Sequence, residues 1–334
     1  MRHFVVVGIL VIVAAVLTYV GLDAVGLMPV EASAQAGPID RLWNLEVMTI
    51  SFLFALIVVP LTYSLIVFRR KKGDTTDAEH VEGNTNLEIT WTILPLFLVM
   101  IFAYLGAGNL SEIRRVDPDA MVVKVTAIQW SWKFEYPDYG VVTNELHVPE
   151  GKQVHLEMTS NDVIHSFWVP EFRLKQDLVP GRITELRVTP TLVGNYKVRC
   201  AEICGTSHAY MEAPVVVSTQ ADFDSWMAEQ VKLAEAAAAT PEGRGQALVS
   251  ANGCAACHSI NGAAGIGPTW FGLFGHEVEL SGGGTVIADE AYLHESIKAP
   301  QAKIVAGFEN QLMPTYGFAD DQINDIVAYI KTLK

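Results

Sequence analysis

The sequence has 334 residues, half of them hydrophobic, with 37 acidic against 23 basic side chains and a formal charge of −14. That length suits two or three domains, and a chain both so apolar and so acidic must keep its apolar residues in separate stretches. No basic face is present to neutralise phosphates, which excludes nucleic acid as a partner; an acidic protein instead attracts cationic partners over distance.

The first apolar run covers residues 4–22 behind Met1-Arg2-His3. It is long enough for a spanning helix or for the apolar core of a secretion signal. Ala32-Ser33-Ala34 has the small-residue pattern that signal peptidases prefer, although it stands farther from the apolar run than usual. Residues 1–34 are therefore expected to be a signal peptide or a signal-anchor helix, and both readings stay open.

Two more uncharged runs follow, at residues 47–68 and 89–108, with Pro60 and Pro95 inside them. Each is long enough to cross a bilayer, where neighbouring helices can accommodate an internal proline. Arg69-Arg70-Lys71-Lys72 lies between them, which puts that loop in the cytoplasm and both distal ends outside. A helical hairpin is expected over 35–112, with helices at about 44–68 and 88–108, and everything after it faces the extracytoplasmic side. Glu88, at the start of the second helix, is favoured there by the helix macrodipole as a solvated carboxylate.

From residue 121 to 217 the pattern changes to short alternating segments. Trp130, Trp132, Phe134 and Tyr136 alternate with polar residues, as do Val154, Leu156 and Met158. Turn residues such as Pro149-Glu150-Gly151 and Pro180-Gly181 separate the segments. Period-two alternation of this kind predicts an antiparallel β-sandwich or barrel.

The stretch Cys200-Ala-Glu-Ile-Cys204-Gly-Thr-Ser-His208-Ala-Tyr-Met211 carries two thiols, an imidazole and a thioether, and His165 stands upstream in Asp-Val-Ile-His-Ser. These are the soft-to-borderline ligands that copper prefers. One copper needs a single cysteine, so two cysteines with two histidines point to a copper pair bridged by both sulfurs. A Cys200–Cys204 disulfide is the alternative in an oxidising compartment, but it leaves His208 and Met211 without a purpose.

The pattern C-x-E-x-C-G-x-x-H-x-x-M, with D-V-x-H-S before it, resembles the binuclear copper (CuA) site of cytochrome c oxidase subunit II. The resemblance implies that Cys200 and Cys204 bridge the coppers, that His165 and His208 each bind one, and that Met211 and the Glu202 carbonyl are further ligands. It also implies a cupredoxin-like Greek-key fold. Glu88 matches the entrance of a proton path into the catalytic subunit. Trp130, in Gln-Trp-Ser-Trp, matches the entry point for electrons from a separate cytochrome c, the alternative being a core aromatic on a strand. The Glu202 side chain matches a magnesium ligand at the contact with subunit I, a role that suits a hard carboxylate.

Residues 221–239 are rich in Ala, Glu and Gln and predict a helix, which Thr240-Pro-Glu-Gly ends as a linker. Cys254-Ala-Ala-Cys257-His258 is then the signature of covalent haem attachment: two thiols reach the two vinyl groups of one porphyrin while the adjacent imidazole faces the iron. A zinc half-site or a redox dithiol has the same Cys spacing, but no second Cys pair remains for zinc and no βαβ pattern surrounds it. Met313, His276 and His294 are the downstream candidates for the sixth ligand. Met313, in Gln311-Leu312-Met313-Pro314, stands just before an amphipathic helix over 320–333 whose Ile323, Ile326, Val327 and Ile330 share one face. That layout resembles a class I cytochrome c, and it implies Met313 as the axial ligand and Gly267-Pro268 as the support of His258. A thioether ligand raises a haem's potential.

The whole is expected to be a multidomain membrane protein: a transmembrane helical hairpin, an all-β cupredoxin-like domain over 113–219, a helical linker over 220–241 and an all-α class I cytochrome c domain over 242–334. The resemblance implies subunit II of a respiratory haem-copper oxidase in a bacterial inner membrane. Its cofactors would be CuA, haem c and magnesium. Its partners would be subunit I with haem a and the oxygen-reducing centre, subunit III, and an external donor such as a cytochrome c or a cupredoxin. Two other functions stay open. One is the matching subunit of a nitric oxide reductase; the other is a stand-alone membrane-anchored carrier, against which the hairpin, Glu88 and Glu202 argue.

Overall fold

The computed structural model describes all residues except 78, 79, 311 and 312. Gln311 and Leu312 of the stretch before Met313 thus lie outside the described residues. The chain forms two compact units, Met1–Arg115 and Val116–Lys334.

The first unit holds three helices, α1 (Arg2–Val25), α2 (Ala36–Val67) and α3 (Thr85–Ile113), each long and apolar enough to cross a membrane. With 1.5 Å of rise per residue, even α1 reaches about 36 Å, against roughly 30 Å of hydrocarbon. Both later helices run well beyond the expected 44–68 and 88–108. The apolar run marks only what lies in lipid, whereas the polar ends continue as helix until a cap stops them. Asn84 is such a cap: its side chain accepts the Leu87 N–H at 3.1 Å. Helix α1 packs along α2, with His3 Nδ1 hydrogen-bonded to the Tyr63 hydroxyl at 2.7 Å. Ala32 and Ser33 are buried, and Asn109 of α3 donates to the Pro38 carbonyl of α2 at 3.0 Å.

The second unit begins with ten strands: β1 (Met121–Ile128), β2 (Ser131–Tyr136), β3 (Val141–Thr143), β4 (Leu146–Pro149), β5 (Val154–Ser160), β6 (His165–Val169), β7 (Leu174–Leu178), β8 (Thr184–Val188), β9 (Gly194–Cys200) and β10 (Glu212–Ser218). They form two five-stranded sheets, ordered β3-β2-β1-β5-β8 and β4-β10-β9-β6-β7. Most neighbours are antiparallel, but β1 runs parallel to β5 and β4 parallel to β10. The expected pairing was antiparallel throughout; side-chain alternation fixes which face is buried and carries no information on strand direction. Trp132, Phe134, Tyr136, Leu156, Met158 and Phe167 are fully or almost fully buried between the sheets, each contributing about 1.5–3 kcal/mol. Trp130 is not among them: β2 starts one residue later, and Trp130 sits half-buried in the turn between β1 and β2.

Helix α4 (Gln220–Ala238) lies on the sandwich rather than hanging free. Phe223 and Met227 are buried, and Trp226 stacks on His147 with ring centroids 3.8 Å apart. Thr240 does not end the helical region but caps a new helix, α5 (Pro241–Ala251), by accepting the Gly243 N–H. A two-stranded ribbon, β11 (Glu277–Glu279) with β12 (Thr285–Ile287), precedes α6 (Glu290–Lys298) and α7 (Asp320–Ile330). Helices α5 and α7 cross at Gly245, where any Cβ would overlap the Asp325 carbonyl oxygen. Arg244 clamps the same Asp325 with two hydrogen bonds of 2.8 Å. Ile323, Ile326, Val327 and Ile330 are buried as their spacing predicts.

Candidate functional site

The sheet that contains β6, β9 and β10 assembles the first site. Phe167 of β6 pairs with Cys200 at the end of β9, which sets His165 beside the cysteine loop. The Cys200 N–H donates to the Met211 carbonyl at 3.1 Å and the Ala201 N–H to the Ser166 carbonyl at 3.0 Å, so both ends of the loop are tied to the sheet. Cys204 stands on the loop, His208 opens a single 3₁₀ turn, and Met211 precedes β10.

These residues converge. Cys200 Sγ is 3.8 Å from His165 Nδ1, 3.2 Å from the Glu202 carbonyl oxygen and 3.7 Å from Cys204 Sγ. Cys204 Sγ is 3.5 Å from His208 Nδ1 and 3.7 Å from Met211 Sδ. His165, Cys200, Cys204 and Met211 are buried, whereas Glu202 is exposed beside them. Both cysteines are free thiols, and their sulfurs are well beyond the bonded distance of about 2.05 Å, so the disulfide alternative is not what the chain forms. Among the described residues, the ligand atoms of His165, Cys200 and Cys204 lie within 4.8 Å of one another. Two thiols, two imidazoles, a thioether and a carbonyl, mostly shielded from water, form a donor set that fits copper.

The surroundings add hydrogen-bond partners to this cluster. Asp162 accepts from His165 Nε2 at 2.9 Å; it is the first residue of the D-V-x-H-S pattern, which gave it no role of its own. Gln129 Nε2 and Trp130 Nε1 both donate to the Cys204 carbonyl, at 2.6 and 3.1 Å. Burial disfavours a charged His165, but the hydrogen bonds and charges of Asp162 and Cys200 outweigh it and raise the imidazole to about 9. Burial likewise opposes a Cys200 thiolate, yet hydrogen bonds from His165 and neighbouring backbone bring it down to about 6. Cys204 is pushed up by burial and by the adjacent Cys200 charge. The cluster is therefore poised to exchange protons for metal, since bound cysteines must be thiolates and bound histidines neutral.

The second site forms around the turn Cys254–Ala256. The His258 N–H donates to the Cys254 carbonyl at 3.0 Å, closing the Cys-x-x-Cys-His segment into a compact loop. His258 Nδ1 donates to the Pro268 carbonyl at 2.8 Å, which fixes the tautomer and leaves Nε2 free as a ligand. Trp270 stacks against the buried imidazole at 4.7 Å. Burial holds His258 below its usual value and pushes the Cys254 thiol up to about 11. Cys254, Cys257, His258 and Met313 all line one cavity of about 280 Å³. Two free thiols, a neutral imidazole with an open nitrogen and a thioether around one space suit a covalent haem. His276 and His294 do not line it, and His294 faces Asp320 at 3.5 Å. Trp130 of the first site reaches the same cavity wall. Glu88, in the other unit, is exposed in the first turn of α3.

Three family models match the chain in order. They are the transmembrane domain of cytochrome c oxidase subunit II at residues 21–106, its periplasmic domain at 141–221 and cytochrome c at 243–334. Among curated relatives, a cytochrome c oxidase subunit 2 from Synechocystis is 35% identical over 61% of this chain and 75% of its own. One from Thermostichus vulcanus is 32% identical over 63% and 80%, and one from Alkalihalophilus pseudofirmus 31% identical over 81% and 80%.

Proposed function

The chain belongs to the cytochrome c oxidase subunit II family, in the form that carries a C-terminal cytochrome c domain, and from that premise we propose that it is the electron-entry arm of its oxidase. It is a membrane protein and a subunit of a haem-copper oxidase; its finer workings are our reading. A covalent haem and a copper pair in these two sites would supply one-electron chemistry between an external cytochrome c or cupredoxin and the haem a and oxygen-reducing centre of subunit I, coupled to proton translocation. Both redox domains face the extracytoplasmic side, and subunit III completes the assembly.

Cys254, Cys257, His258 and Met313 would hold the haem, and His165, Cys200, Cys204, His208, Met211 and the Glu202 carbonyl the copper pair. So held, the two groups supply one-electron redox chemistry. The protein's part is to bind, orient and shield them. Asp162 turns His165 so that Nδ1 faces Cys200, and Pro268 turns His258 so that Nε2 is free. The Glu202 carboxylate, exposed beside the copper loop, is available to a magnesium ion at the subunit I contact. Glu88 serves as the proton-path entrance.

One observation carries the electron path. Trp130 lines the cavity shared by Cys254, Cys257 and His258, and its indole N–H donates to the carbonyl of Cys204. This placement supports the reading that the entry tryptophan of this chain is addressed by its own haem domain. A metal and haem inventory of the purified complex, with mass spectrometry of its subunits, tests the reading. A copper pair and one covalent haem per chain are expected, together with a co-purifying subunit I. Absence of copper, or a Cys200–Cys204 disulfide in active enzyme, would refute it. Oxygen rather than nitric oxide is the expected acceptor.

A further inference from the structure

The sandwich and the haem loop lie in one compact unit, and they meet closely at a pair of residues that bind neither group. Gly253, immediately before Cys254, adopts φ +66, a conformation that favours glycine. A Cβ at this position would overlap Ser131 Oγ and would also meet Ile128 Cγ2 at 3.8 Å. Ser131 is the first residue of β2 and follows Trp130 directly. The contact therefore joins the neighbour of a haem-binding cysteine to the neighbour of the tryptophan that reaches the Cys204 carbonyl.

Space opens on both sides of this contact. On one side is the cavity of about 280 Å³ that holds the haem-binding side chains, bounded across the seam by Gln129, Trp130 and Thr206. On the other is a crevice of about 620 Å³ between Trp132, Ala213 and Pro214 of the sandwich and Ala255, Ala256 and Ile266 of the haem domain. Gly253 borders both. Between two open spaces, the Ser131 hydroxyl rests against the bare backbone of Gly253, with Ile128 beside it, so a bulkier side chain at either position must push the two parts away from each other there. Helix α4 anchors the haem domain separately, through Trp226 stacked on His147, so extra bulk at the stop tilts the domain without releasing it.

We propose that Ser131 and Gly253 are positioning residues that set the distance between the haem and the copper pair. The inference rests on the electron path proposed above. Its content is that the smallness of both residues, rather than any bond they make, holds the two groups close enough for one electron to leave the haem and arrive at the copper pair rapidly.

The test is a graded series at Ser131, which lies outside both ligand sets: Ser131→Ala, Ser131→Val and Ser131→Leu in the intact complex. Two quantities are read. One is the distance-dependent relaxation enhancement that the ferric haem imposes on the copper spin signal; the other is the rate of haem-to-copper transfer after flash reduction. Ser131→Ala, which only removes bulk, should not fall below the parent in either. Ser131→Val and Ser131→Leu should lose relaxation enhancement and transfer rate progressively, with copper line shape and haem potential unchanged. A parent-like distance and rate in the valine and leucine variants would overturn the proposal. So would a loss in the alanine variant equal to that in leucine, because a bond and not bulk would then be at work. If the parent itself lacks either spin signal, the electron-relay reading fails, and this inference fails with it.

Discussion

Asp162 accepts a hydrogen bond from His165 Nε2 at 2.9 Å, and the opposite ring nitrogen of that histidine faces Cys200 Sγ at 3.8 Å. The carboxylate therefore decides which nitrogen the imidazole offers to metal. Partners of this kind typically contribute about 10–100-fold to metal affinity. Asp162→Ala should weaken copper retention by that order in a chelator competition, and Asp162→Asn, which keeps a polar partner, should do so less. Equal retention in parent and alanine variant would mean that the sheet alone orients His165.

Cys204 sits between Cys200, His208 and Met211, with its sulfur 3.5–3.7 Å from a donor of each. Cys204→Ser replaces a soft bridging ligand by a hard hydroxyl. The electron paramagnetic resonance signal of a copper pair sharing one electron should vanish, while haem content stays as in the parent. A surviving mixed-valence signal would disprove the bridge.

Met313 reaches the haem-side cavity along with His258. Met313→Ala should leave the haem attached through Cys254 and Cys257 but lower its potential, since thioether ligation raises it. Redox titration of the purified complex reads this directly, and an unchanged potential would move the sixth ligand elsewhere.

His147 is held below its ordinary value of 6.5, chiefly by burial, against the opposing effect of Glu145 at 3.2 Å. A base whose folded value is depressed takes up its proton more readily in the unfolded chain. Its contribution therefore makes the fold less stable as pH falls through 6.5. Thermal loss of the copper signal should come at lower temperature at about pH 5.5 than at about pH 7.5. His147→Phe, which keeps a ring against Trp226, should narrow that gap; an unaltered gap would assign the acid sensitivity to other groups.

Gly245 lets α5 and α7 cross in contact, because a Cβ there would overlap the Asp325 carbonyl. Gly245→Ala should force the helices apart and destabilise the C-terminal domain by about 1–3 kcal/mol, the usual cost of overpacking. Denaturant unfolding of the complex followed by haem absorbance checks this, and an unshifted midpoint would show that the crossing has slack.

The reach of the linear chain differs from site to site for physical reasons. The clustering of Cys200, Cys204, His208 and Met211 was legible because a single loop carries them at fixed offsets, and that of His258 with Cys254 and Cys257 because it directly follows them in sequence. Ile323, Ile326, Val327 and Ile330 were legible because helical periodicity states which face is buried. Trp130 was misplaced onto a strand face because alternation continues unbroken through a turn; only the hydrogen-bond ladder shows that β2 starts at Ser131. Helix α4 was expected to be a linker because nothing local announces that Trp226 will find His147.

What the sequence determined by itself was chemistry: the donor types, their spacing, the apolar spans and the order of the parts. What the tertiary structure alone decided was adjacency. Cys200 beside His165, Gln129 and Trp130 on the Cys204 carbonyl, and Ser131 against Gly253 are contacts between segments far apart along the chain. They exist only after two sheets and three helices have packed, because a contact between distant segments is fixed by the burial of their neighbours and not by the residues that make it.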